Sequence, residues 1–63
     1  METMSAVNFN LAGEDLTVLC ELLEAEQARL LVEIRHTDHR VYRGELRRRL
    51  AIVEQLIDTC RAT

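Results

Sequence analysis

Glu33-Ile34-Arg35-His36 sets a carboxylate and an imidazole three residues apart. On a helix that spacing puts both on one side, one turn apart, as in carboxylate bundles that hold iron or manganese. Glu26 lies seven residues before Glu33 on the same side, so Glu26, Glu33 and His36 form the candidate metal set. A second copy of the chain would duplicate it. Against a metal, Glu33 and His36 flank the apolar stripe of their helix, and the chain contains no second Glu-x-x-His. Such pairs also arise by chance in Glu-rich helices. A solvated face is therefore the expected reading, with no metal and no cofactor. His36 and His39, around Thr37-Asp38, could titrate together beside the Asp38 carboxylate. The stronger expectation is an exposed turn, where the negative end of a helix dipole favours a cationic His. The Cys, His and Asp residues do not converge, and a slim helical unit offers no water-excluding pocket, so no enzyme is expected.

Arg40, Arg43, Arg47, Arg48 and Arg49 make a basic zone interrupted only by Glu45, while Glu14, Asp15, Glu21, Glu24 and Glu26 make an earlier acidic one. A nucleic-acid reader would use the basic zone. The zone holds Tyr42 as its one aromatic and no recognition-helix unit, and the acidic zone cancels the field. Charge pairing within or between subunits is expected, with no nucleic acid bound.

The elements that position these residues follow from composition and period. The chain has 63 residues, 48% apolar and 30% charged, with two Gly, no Pro and a net charge of −3. That is one small unit, too apolar for a disordered tail and too poor in turn residues for a many-stranded fold. Val7-Asn8-Phe9-Asn10-Leu11 alternates, so residues 1–10 read as an N-terminal arm, extended or disordered. A first helix is expected over about 13–36, with Ala12 as a poor N-cap and Glu14 and Asp15 in its first turn. Its stripe is Leu16, Leu19, Cys20, Leu23, Leu30, Leu31 and Ile34, with Gln27 at its centre. A turn is expected at about 37–38, with Thr37 and Asp38 as capping residues, because Asp38 would otherwise fall on the stripe. A second helix over about 38–61 carries Tyr42, Leu46, Leu50, Val53, Leu56, Ile57 and Cys60. Folding at 37–38 brings Ile34 toward Tyr42, Leu30 toward Leu46, Leu23 toward Val53 and Leu16 toward Cys60. Gln27 then faces Arg49 and Leu50, and Arg49 should meet Gln27 or an acid of the first helix.

The fold class is thus all-α, an antiparallel two-helix hairpin. A lone hairpin of this size buries little. Val18, Leu22, Ala25 and Val32 on the first helix, and Val41, Ile52 and Leu56 on the second, are left over for a second surface. A homodimer forming a four-helix bundle is expected, its core and dimer contacts made by Leu16, Leu19, Leu23, Leu30, Ile34, Tyr42, Leu46, Leu50, Val53 and Ile57. The expected role is a small structural or protein-interaction module. Its partners are its own second copy and another protein, with a metal-binding bundle and an antitoxin-like regulator as alternatives. The start of the chain has no basic n-region and no stretch is apolar enough to span a membrane, so a cytoplasmic setting is expected. Cys20 and Cys60 are then expected reduced and buried.

Glu33-Ile34-Arg35-His36-Thr37-Asp38-His39-Arg40-Val41-Tyr42-Arg43, followed by Leu46, resembles a group of very short bacterial proteins with the pattern E-I-x-x-T-D-x-x-x-[FY]-R-x-x-L. The resemblance spans most of residues 11–57. It implies a hairpin with Thr-Asp at the turn and supplies no activity. The chain departs from that pattern at Ala12-Gly13, where better capping residues are usual.

Overall fold

The computed structural model describes residues 11–62, so the expected arm at 1–10 lies outside the described residues. Two helices, α1 (Gly13–His36) and α2 (Arg40–Ala62), pack along one another, and no strand occurs among the described residues. At 1.5 Å rise per residue each is about 35 Å long, so the pair ends nearly flush.

The start of α1 depends on a glycine. Ala12 is extended and makes no side-chain cap, while Gly13 stands at φ +60°. That left-handed conformation is costly for any residue with a Cβ, and nothing else crowds the position. Glu14 and Asp15 then occupy the first turn, where free N–H groups favour negative charge. The Thr17 hydroxyl donates to the Gly13 carbonyl at 3.2 Å.

The turn is Thr37-Asp38-His39, one residue longer than expected, and α2 begins at Arg40. Its cap is neither Thr37 nor Asp38. The Tyr42 N–H donates to Nδ1 of His39 at 3.2 Å, and the Arg43 N–H donates to the His39 carbonyl at 2.9 Å. His39 is therefore the N-cap, its Nδ1 accepting where a Ser or Asp oxygen usually does. Thr37, extended at φ −97° and ψ 124°, ends α1. The Arg43 guanidinium closes the turn by donating through Nε to the Ile34 carbonyl at 3.2 Å, one of the carbonyls left without a helical partner at the end of α1.

The seam centres on Leu30, which is fully buried, with Leu46, Val53 and Ile57 from α2; Leu23, Ile34 and Leu50 pack against them. Leu16 and Leu19 are half-buried. Three members of the apolar stripes lie outside: Tyr42 is 48% exposed, and Leu31 and Leu56 are exposed as well. The reason is angular. Leu31 and Leu56 each sit one residue, about 100° of helix rotation, from the buried Leu30 and Ile57. Tyr42 precedes Leu46 by one turn, and Leu46 fills the seam. A two-helix contact is narrower than the stripes that predict it. No helix of the described residues is long and apolar enough to cross a membrane.

Leu30→Ala should cost about 2–5 kcal/mol, the range for large-to-small changes in a packed core. Glu33→Ala and His36→Ala should each cost less than about 1 kcal/mol, because both side chains lie at the surface. Denaturant unfolding of the three variants checks the ranking.

Candidate functional site

One flank of the hairpin is an open groove. Its floor is formed by Leu23, Leu46 and Val53, its sides by Leu22, Tyr42, Ile52 and Leu56, and charged residues line its length. Leu22 is 63% exposed and Ile52 54%. The positions explain the grouping. Leu22 and Glu26 are one turn apart on α1, as Ile52 and Leu56 are on α2, and both pairs sit just off the seam on the same side.

Four charged groups form one network at mid-height, with Glu26, Arg29 and Arg49 lining the groove and Glu33 beside it. Arg29 grips Glu26 with two parallel bonds, Nε to Oε1 at 2.9 Å and Nη2 to Oε2 at 2.7 Å, and reaches Glu33 through Nη1 at 2.8 Å. From the other helix, Arg49 donates through Nε to Oε2 of Glu26 at 2.7 Å. The Glu26 side chain is only 22% exposed, the least of the four. Hydrogen bonds from Arg29 first, and from Arg49 second, pull its carboxyl from 4.5 down to about 2, and the same contacts raise the Arg29 guanidinium. Bidentate Arg–carboxylate geometry fixes direction as well as charge. That grip lies within α1 and orients Glu26, to which the single Arg49 bond ties α2 at mid-height.

The expected meeting of Arg49 with an acid of α1 thus takes place at Glu26. Gln27 does not meet Arg49: its amide donates to Glu54 at 3.0 Å, on the flank opposite the groove. Arg61 pairs with Glu24 on that same flank. The metal candidates do not assemble. Arg29 lies three residues after Glu26 and four before Glu33, and its guanidinium stands where a bound cation would. His36 is exposed at the end of α1, and among the described residues no three His, Cys, Asp or Glu side chains group to hold a metal. The basic zone divides: Arg43 and Arg49 are engaged within the hairpin, while Arg40, Arg47 and Arg48 are exposed and make no ion pair among the described residues.

The largest correction concerns sulfur. Cys20 and Cys60, expected as two thiols, are joined in a disulfide with a Cα–Cα distance of 6.1 Å across a sequence separation of 40. Cys60 is buried and Cys20 half-buried. The register that sets Leu16 near Cys60 sets Cys20, one turn along α1, within reach of the same sulfur. The signal was present in the stripe spacing. It was overruled by an expectation about the cellular compartment.

Reducing the disulfide should destabilise the hairpin by about 2–4 kcal/mol, since the crosslink removes loop-closure entropy from the unfolded chain. Thermal unfolding with and without dithiothreitol measures it, with Cys20→Ser/Cys60→Ser as the matched control. The Glu26 network gives a pH signature. A carboxyl lowered from 4.5 to about 2 stabilises the fold fully above its unfolded value and loses that contribution as pH falls through the folded one. The stability gap between the parent and Glu26→Gln should therefore be constant above about pH 5 and close between there and about pH 2. A gap independent of pH over that range would show that the carboxylate charge is not what holds the register.

No known family, curated protein or solved structure matches this chain, so the likeness carried by Glu33–Arg43 stays a reading of the sequence alone.

Proposed function

We propose that the chain is a small structural and protein-interaction module that acts as a homodimer, two hairpins closing their grooves against each other as a four-helix bundle. The observation that carries the reading is the groove itself. Leu22, Tyr42, Ile52 and Leu56 stand exposed along one flank, beside a seam that fully buries one leucine. Soluble monomers seldom leave a contiguous apolar strip of that kind open to water. A second copy is the simplest cover, because two-fold pairing lets one surface serve as its own complement. Four packed helices also bury the groove flank of each seam, which two cannot.

The module works by contact. Glu26 and Glu33, its best-placed acids, are tied to arginine, which supports a scaffold over a metal site or a catalyst. In a reducing cytoplasm Cys20 and Cys60 would stand as a dithiol, and pairing between hairpins would then supply the stability that the crosslink otherwise gives.

Sedimentation equilibrium should return about twice the 7.3 kDa chain mass at micromolar concentration. The unfolding temperature should also rise with concentration, as linkage requires of a dimer. Leu56→Glu, which puts a charge in the groove and leaves the seam intact, should return the mass to that of one chain while far-UV circular dichroism stays helical. A folded parent that is monomeric at all accessible concentrations would overturn the reading.

A further inference from the structure

The hairpin is electrically polarised along its length. Residues 25–50, the turn half, carry seven Arg against Glu26, Glu33, Asp38 and Glu45, a net charge of +3. Residues 13–24 and 51–62, the open half, carry six acids against Arg61, a net charge of −5. The internal ion pairs do not cancel this separation. Arg40, Arg47 and Arg48 at the turn half, and Glu14, Asp15 and Glu21 at the open half, are exposed and make no ion pair among the described residues. Resting on the homodimer reading above, we propose that the two hairpins pair antiparallel, the turn end of each lying on the open end of the other.

Two independent features of the groove favour that direction. The first is charge. Antiparallel pairing sets each positive half over a negative one, while parallel pairing sets +3 on +3 and −5 on −5 along the full contact, and like charges facing each other across an interface oppose binding. The second is shape. Tyr42 is the one ring in the groove and stands toward its turn end, whereas Leu22, Ile52 and Leu56 lie toward its open end. The Glu26–Arg49 pair lies near the middle. A two-fold axis near that pair brings Tyr42 of one chain onto the partner's Leu56, ring against aliphatic side chain. Parallel pairing would instead set the two Tyr42 rings together and leave the aliphatic end to itself.

Direction can be read on the unmodified protein. Tyr42 and Leu56 are 14 residues apart on one helix, about 21 Å, so no through-space proton contact can join them within a chain. In a mixed sample of labelled and unlabelled protein, isotope-filtered spectra should show contacts from the single Tyr ring to the Leu56 methyls of the other chain. Raising salt from about 0.01 M to about 0.15 M shortens the screening length from about 30 Å to about 8 Å. The dimer dissociation constant should then rise at least roughly threefold, as opposite charges lose part of their attraction. Contacts between the two Tyr42 rings, or a dissociation constant that falls or stays fixed with salt, would overturn the antiparallel assignment while leaving a dimer. A protein monomeric at both salt concentrations would instead overturn the homodimer reading on which it rests.

Discussion

Two helices joined by a three-residue turn can bury only one seam, and the seam of this hairpin is fastened at both ends. At one end the chain itself does it, through Thr37-Asp38-His39 and the Arg43 bond to the Ile34 carbonyl. At the other end nothing in the backbone opposes splaying, and there the Cys20–Cys60 bond joins α1 to α2. Between these fasteners Leu30, Leu46, Val53 and Ile57 form a short apolar line. Four such side chains would be a thin core for independent stability, since chains of this length draw only a few kcal/mol from burial. The crosslink acts on the other side of the balance, by restricting the unfolded chain, and so does not need a larger core. On this view the sulfur bond is what allows so much of the apolar surface to remain outside.

The single seam also gives the hairpin two unlike flanks. On one, Gln27–Glu54 and Glu24–Arg61 bridge the helices with side chains that water can share. On the other, the apolar sides of the groove are bridged at one height by the Glu26, Arg29 and Arg49 network. Exposed pairs contribute little to stability singly, but the bidentate Arg29 grip within α1 fixes the Glu26 carboxylate in place, and Arg49 of α2 donates a single bond to it across the helices. It opposes sliding of α2 along α1, which a smooth leucine seam tolerates. The groove thereby keeps a fixed outline, with Tyr42 at one end and Leu56 toward the other.

Much of this was legible from residue types, and the exceptions have physical causes. The bounds of α1, Gly13–His36, follow from the acids at its start and the break in the stripe at Asp38, and the flush ends follow from equal helix lengths. The burial of Leu30 against Leu46 follows from folding the chain at that break. The cap of α2 was placed one to two residues early, because Thr and Asp are the usual acceptors and an imidazole nitrogen filling that role leaves no mark in composition. Tyr42 and Leu31 fall on the apolar stripes yet outside the seam, because hydrophobic periodicity reports every apolar position on a broad face, while a helix pair covers a narrow strip of it. The sulfur bond is hidden for a different reason. Register places both cysteines at the same end of the hairpin, but the expectation of free thiols rests on compartment, which is not a property of the fold.

The fastened seam bears on binding as well as on folding. A surface that must order itself on meeting a partner loses part of its interaction energy to that ordering, and a surface held beforehand does not. Here the crosslink, the turn and the mid-height network fix the groove before anything touches it. The side chains left to settle are few and stiff, among them one Tyr and one Ile. Charge is arranged in the same spirit: Arg43 and Arg49 are used inside the hairpin, while Arg40, Arg47 and Arg48 remain available outside it. The residues that hold the fold and those free to meet a partner are thus largely separate sets. A change at the groove rim can therefore alter association without unfolding the hairpin, whereas a change at the seam unfolds the hairpin and takes the groove with it.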